Sequence, residues 1–366
     1  MKTAKWLLIR LDRIGDLVLT LPSDSVLSSP SGGTVRGETT GETPLEAPSD
    51  APSEVTWWIP PGLSFITHNS SPRRKSREVA RKFDRRVFLS LLRELRETQF
   101  SGAIVYHGPW WISALLWLAR VPIRGGVKSQ WHSFFFLNRA IRQKRSQAEC
   151  SELEYGYRLT EAVLGRPEGS TERTSLKLGA GGEHDRKKFL SRHGLQAYRF
   201  AVLHPGMGGS ALNWPIENYA ELAKSLAHLN TVVITGTASD EPYLAPLRKL
   251  LNGVGNIYWT EGKLNSTELL MILKSAKCTV APSTGVLHLA ASTGQPTVGI
   301  YSPVLVQHPR RWGPQGPRAE VLLPKVGCPA TLQCLGPSCP HFDCMKLIAV
   351  ADVLAKVQSL NITTQL

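Results

Sequence analysis

Residues 7–22 read LLIRLDRIGDLVLTLP: an apolar run, interrupted between Arg10 and Asp16 by four charges and a glycine, that then turns apolar again. Leu7 to Leu11 has the composition of a buried strand. A buried strand followed by a glycine-containing turn and a second apolar element is how a parallel α/β unit begins. The carboxyl end of the strand is then where an open parallel sheet presents its ligand-facing groups. On this reading Gly15 permits the turn and Asp16 faces the ligand. Arg13 lies close enough in sequence to Asp16 to hold its carboxylate ionised or to reach a phosphate. Arg10 and Asp12 read equally as a solvated pair at the strand end.

The rest of the chain is compatible with that beginning. At 366 residues and 42% hydrophobic, it is long enough for two domains, expected at 1–175 and 176–366 and joined near residues 165–195. Lys2, Lys5 and the following WLLI imitate a secretory signal, but Arg10 ends the apolar stretch and no cleavage site follows. Trp110 to Ala119, the longest other apolar run, is about half of the ~20 residues a membrane-spanning helix needs, so a soluble cytosolic chain is expected.

The formal net charge is +14, and the stretch Arg73 to Arg145 carries 17 Lys/Arg against 4 Asp/Glu, a net +13. Such a region attracts nucleic acid, an anionic membrane or a phosphorylated substrate, or is simply a solvated basic helix face. No RNP-type motif or zinc-finger spacing accompanies it, so nucleic acid is not expected as a partner. Four of the six cysteines, Cys328, Cys334, Cys339 and Cys344, cluster around His341. Their spacing is too loose for a CxxC zinc site, and both free thiols and metal or redox pairing remain open for the 328–344 loop.

Ser23 to Glu54 is rich in Ser, Thr, Gly, Pro and Glu and poor in large apolar residues, and it is expected to be a disordered insertion replacing the first crossover helix. Strand candidates follow at Val55–Ile59 and Ala103–Tyr106. The second half then alternates strands at Phe200–Leu203, Thr231–Thr235, Asn256–Trp259, Cys278–Ala281 and Thr297–Tyr301 with helices at Ile216–Leu226, Ser266–Ser275 and Val286–Ser292. Two parallel α/β halves facing a central cleft are expected.

Three strand-to-helix loops of the second half carry candidate chemistry. HPGMGGSALNWP, residues 204–215, offers Gly206, Gly208 and Gly209, whose backbone N–H groups can approach an anion, with Ser210 beside them. APSTGVLHLAASTG, residues 281–294, puts Ser283, Thr284 and Gly285 at a helix N-terminus, a ready diphosphate site, with His288 one turn on. The same Ser-Thr-Gly reads equally as an ordinary N-cap, and His288 as a core histidine. In GTASDEPY, residues 236–243, Glu241 or Asp240 either accepts from ribose hydroxyls or belongs to a solvated acidic loop.

Taken in order, LDRIGDLVLTLP, HPGMGGSALNWP, VVITGTASDE and APSTGVLHLAASTGQPTVGIY resemble the signature blocks of glycosyltransferase family 9, the ADP-heptose:lipopolysaccharide heptosyltransferases. WHSFFFLNRAIRQKRSQAE and the terminal CPATLQCLGPSCPHFDCM are similar too. The resemblance implies a GT-B fold of two Rossmann-like domains, the first binding the acceptor and the second the nucleotide-sugar. It implies inverting transfer without metal or other cofactor, with Asp16 as general base; Arg13, close to it in sequence, is the second candidate catalytic residue. ADP-heptose would meet Gly206, Gly208, Gly209, Ser210, Ser283, Thr284, Gly285 and His288 through its diphosphate, Glu241 through its ribose and Leu264 through its adenine. The basic stretch with Arg139, Arg142, Lys144, Arg145 and Glu152 would meet a lipopolysaccharide inner core of Kdo-lipid A type, with the enzyme peripheral at the anionic cytoplasmic face of the inner membrane. Two positions depart from the family. Leu212 stands where Lys or Arg usually precedes the tryptophan, and Cys150-Ser151 stands where a basic residue and a histidine often precede the glutamate. They leave as alternatives a diverged GT-B protein of weak or no transfer activity acting by binding or regulation, or a transferase using another nucleotide-sugar.

Overall fold

The structure, a computed structural model, describes residues 3–28, 53–209, 211–260 and 262–362. The chain separates into two compact units: Met1–His68, Arg73–Gln143 and Glu152–Thr174 form the first, and Asn69–Pro72, Lys144–Ser151 and Ser175–Leu366 the second.

In the first unit β1 (Lys5–Arg10) is buried along almost its whole length, because it lies inside a parallel sheet with neighbours on both sides. Leu7, Leu8 and Ile9 are fully buried, each contributing about 1.5–3 kcal/mol relative to exposure. The chain continues through α1 (Ile14–Thr20), a 3₁₀ turn at Leu21–Asp24 and α2 (Ser25–Ser28) to β2 (Glu54–Ile59), α3 (Ser64–Asn69), the two-residue β3 (Ser70–Ser71) and β4 (Lys75–Glu78). It then runs through α4 (Arg85–Thr98), β5 (Gly102–His107), α5 (Trp110–Leu118), β6 (Ile123–Val127), α6 (Trp131–Phe136), β7 (Arg139–Ile141) and α7 (Glu152–Leu164). The sheet order is β4-β2-β1-β5-β6-β7, all parallel, so the direction of winding reverses between β1 and β5.

The first crossover differs from expectation. Ser23–Ser28 is helical, with Ser23, Val26 and Leu27 buried, and Glu54 already belongs to β2. A helix, α1, does occupy the crossover, because LVLTL buries a continuous apolar face. Residues 29–52 of the expected insertion lie outside the described residues. The paired glycines of β6 have a packing reason: a Cβ on Gly125 would strike Val163 of α7, and one on Gly126 would strike Leu137.

The second unit repeats the plan. After β8 (Lys177–Leu178), which pairs antiparallel with β3, come α8 (Glu183–Arg192), β9 (Phe200–Leu203), α9 (Ile216–Ala227), β10 (Thr231–Ile234) and α10 (Glu241–Leu250). They are followed by β11 (Ile257–Trp259), α11 (Ser266–Ser275), β12 (Cys278–Pro282), α12 (Gly285–Ser292), β13 (Thr297–Ile300), α13 (Pro309–Trp312), β14 (Ala319–Leu322) and α14 (Val350–Ile362). The order β11-β10-β9-β12-β13-β14 is again all parallel and reverses between β9 and β12. Two Rossmann-like parallel sheets are therefore present, and each has a switch point, the place where such sheets bind ligands. In the first unit the switch is flanked by the loops after β1 and β5. In the second it is flanked by the loops after β9 and β12.

Candidate active site

The loop after β1 is organised by a buried cation. Arg10 closes β1 at 2% exposure, and its guanidinium meets three carboxylates: Nε to Asp12 Oδ1 at 2.8 Å, Nη2 to Asp16 Oδ1 at 2.5 Å and Nη1 to Glu152 Oε1 at 3.0 Å. The β1–β5 register shifts here: Ile9 faces Val105 but Arg10 faces His107, an irregularity of the kind that re-aims a side chain beside a site. The solvated Arg10–Asp12 pair considered from sequence is thus replaced by a buried cluster. Burial alone would lower the Arg10 pKa, but the three carboxylates hold it above its ordinary value, so the guanidinium stays charged.

Asp16 stands in the first turn of α1, with 17% of its side chain exposed. Burial raises its carboxyl above the ordinary aspartate value; Arg10 opposes the rise, and Asp12 and Glu152 add to it by repulsion. Oδ1 is held by Arg10, and among the described residues Oδ2 has no hydrogen-bond partner. A carboxylate fixed through one oxygen and partly exposed is suited to accept a proton. Gly15 lies buried within α1 and does not adopt the left-handed conformation, so the turn does not depend on it. Arg13 is the exposed N-cap residue of α1 and forms no ion pair among the described residues, so the Asp16 carboxylate is held by Arg10 and not by Arg13.

The residues expected to bind the acceptor divide. Glu152 is fully buried against Arg10, so it positions the cluster and presents no surface to a sugar. Arg139 reaches back to the Val163 carbonyl at 2.9 Å, near the C-terminus of α7. Arg142 and Lys144 are exposed, and Arg145 is half-buried, its carbonyl accepting from Arg311 at 3.1 Å.

In the second unit the β9 and β12 loops flank the switch point. A Cβ on Gly206 would run into the Asp240 carboxylate, which in turn accepts from the Thr237 N–H and hydroxyl, both at 2.8 Å. Gly206 therefore locks the β9 loop to the β10 loop. Gly208 and Gly209 face open space, Gly209 at φ +70°, and Ser210 lies outside the described residues. His204 is buried and bonded through Nδ1 to Thr235, and its burial lowers its pKa.

At the β12–α12 turn Ser283 is bonded to the buried Tyr301 phenol, whereas Thr284, the N-cap residue, makes no capping bond. Among the described residues the buried Thr284 hydroxyl oxygen has no hydrogen-bond partner, which is uncommon for a buried polar group, and it stands at the helix N-terminus that begins with Gly285. His288, 3% exposed, sits one turn into α12. Glu241 is 53% exposed and pairs with Arg248 at 3.2 Å, while its neighbour Asp240 is the buried, structural one of the two. Leu264 is half-buried ahead of Asn265, the N-cap of α11.

The β9 and β12 loops, with their glycines and the Thr284 hydroxyl, lie at the switch point of the second sheet, and Asp16 lies at that of the first. The family model for glycosyltransferase family 9 (heptosyltransferase) matches residues 88–336, about two thirds of the chain. The chain belongs to glycosyltransferase family 9. Among relatives of this family 9 protein, a Haemophilus influenzae protein named "Putative glycosyltransferase" is 28% identical over 242 residues, 64% of this chain and 69% of that one. Lipooligosaccharide heptosyltransferase 2 of the same organism is 29% identical over 103 residues, covering 27% of this chain and only 30% of the relative. The solved structure of E. coli ADP-heptose lps heptosyltransferase II shares the fold at a TM-score of 0.75 and 18% identity, covering 99% of this chain and 100% of that one. This is the GT-B architecture.

One of the family member's two departures has a structural counterpart. Leu212, in the place of a cation, packs against the core of the second unit and lines a cavity of about 180 Å³ with Cys328, Cys334, Cys339 and Cys344. All four thiols are free; burial and then the neighbouring thiols raise the pKa of Cys344. Among the described residues no group of three or more His, Cys, Asp or Glu is arranged to hold a metal ion. Nor is any described helix long and apolar enough to cross a membrane.

Proposed function

We propose that this protein is an inverting heptosyltransferase that moves heptose from ADP-heptose to the inner core of a lipopolysaccharide of Kdo-lipid A type. Asp16 Oδ2 takes the proton of an acceptor hydroxyl as that oxygen forms a bond to the heptose C1. The bond from C1 to the diphosphate oxygen breaks on the opposite face, and ADP leaves with the bonding electrons. The α12 N-terminus and the Thr284 hydroxyl stabilise the charge that develops on the diphosphate, so the step needs no metal. Arg13, exposed and without an ion pair among the described residues, and the exposed Arg142 are available to an anionic acceptor. The enzyme works at the cytoplasmic face of the membrane that carries this acceptor.

The observation that carries the reading is the Asp16 carboxylate, raised in pKa, tied by Oδ1 to Arg10 and, among the described residues, without a partner on Oδ2. General-base catalysis of this kind contributes about 10²–10⁴ in rate. The names of the heptosyltransferase relatives support the choice of donor and acceptor. Incubation with ADP-heptose and a Kdo-lipid A acceptor should release ADP and yield a heptoside of inverted anomeric configuration. Retained configuration, or no thermal stabilisation by millimolar ADP, would overturn it.

A further inference from the structure

Two helices of the first unit expose what folded domains bury. Trp110, Trp117, Trp131, Phe134 and Phe135 are 51, 50, 61, 50 and 74% exposed. The rings are contiguous: Trp131 lies 6.3 Å from Trp110, 6.4 Å from Phe135 and 6.3 Å from Phe136, and Phe136 lies 5.8 Å from Trp117. The opposite side of α5 already fills the core with Trp111, Ile112, Leu115 and Leu116, so packing within the unit does not account for the outer face. A contiguous exposed apolar patch of this kind marks an interaction surface.

The charge around the patch selects its partner. From Trp110 to Ala148 the sequence has seven Lys/Arg and no Asp or Glu. Lys128 lies 4.8 Å over the Phe134 ring, Arg124 donates to the Phe136 carbonyl at 2.8 Å, and Arg96 donates to the Leu118 carbonyl at 3.2 Å. Tryptophan and phenylalanine interleaved with cations suit the headgroup zone of a bilayer, where the rings enter the acyl boundary and the cations meet lipid phosphates. A second copy of the chain would instead set one acid-free face against another. Moreover, α5 and α6 begin beyond the carboxyl ends of β5 and β6, the same sheet edge that presents Asp16 after β1.

We propose that the α5–α6 aromatic face is the surface by which the first unit docks onto an anionic lipid bilayer. The inference rests on the reading of a lipid-linked acceptor, but the docking itself needs no substrate and no catalysis. The test is co-sedimentation of the full-length protein, without nucleotide-sugar, on vesicles of phosphatidylethanolamine with phosphatidylglycerol and on vesicles of phosphatidylcholine alone. Partition onto the anionic vesicles is expected, weakened by added salt. Phe135→Glu and Trp131→Gln should each reduce it about tenfold or more without shifting the thermal midpoint. Absent partition, or partition unchanged in both variants, overturns the proposal. So does a dimer in solution, seen by light scattering, that Phe135→Glu splits. ADP stabilisation measured on the same samples separates the two readings: absence of vesicle binding by the parent protein, with ADP stabilisation present, defeats the docking surface alone. Vesicle binding without any ADP stabilisation defeats the transferase reading and supports the docking surface.

Discussion

Arg10 Nη2 lies 2.5 Å from Asp16 Oδ1, with the arginine 2% and the aspartate 17% exposed. The cation that ends β1 therefore fixes the proposed base, and it also answers Glu152, which is fully buried. Arg10→Met would leave Glu152 buried without its cation. Removing one partner of a buried pair costs about 3–5 kcal/mol. Urea unfolding should show a loss of that size, and a loss below about 1 kcal/mol would mean that the cluster is not structural.

The same cluster sets a pH dependence. The proposed base would work as a carboxylate, so the rate should fall as pH drops through the Asp16 pKa, which burial and its acidic neighbours raise. Glu152→Gln removes one of the repulsions that raise it. The acid limb of kcat/KM should then move to lower pH in the variant. A shift to higher pH, or none, contradicts the coupling.

The strands of the second half were legible because they are short apolar runs between helical stretches: the Phe200–Leu203 and Cys278–Ala281 expectations lie within a residue of β9 and β12. The edge strands β4, β7 and β14 were not, since KSRE and RAI carry the polar, short signature of sheet edges and AEVL is equally brief. Asp16 could be singled out by its place after a buried strand. Arg10 could not be assigned, because a strand-end cation reads alike whether solvated or buried, until Glu152, 142 residues later, is folded against it. One signal was available: four apolar neighbours in LLIRL leave a cation little solvent on either side, so it requires carboxylates. Which of Ser283 and Thr284 is free for a ligand likewise depends on Tyr301, a contact no spacing reveals.

Thr284→Val keeps the shape of the β12–α12 turn and removes its unmatched hydroxyl. A hydrogen bond to a charged phosphate is worth about 1.5–3 kcal/mol, so ADP should bind roughly tenfold to a hundredfold more weakly by calorimetry. The thermal midpoint of the free protein should hold or rise, since an unsatisfied buried hydroxyl has been removed. Unchanged ADP affinity would place the diphosphate elsewhere.

Gly206→Ala forces a methyl into the Asp240 carboxylate, whereas Gly208→Ala enters open space. Overpacking costs about 1–3 kcal/mol. The first variant should therefore unfold at lower denaturant, while the second should fold normally. Equal stability of the two would show that the β9–β10 lock is not under the constraint described.

Asp16→Asn tests the central claim most directly. Heptose transfer should fall about 10²–10⁴-fold, while ADP binding, proposed for the second unit, stays at the parent value. Transfer within a few-fold of the parent would contradict the assignment of Asp16 as the base.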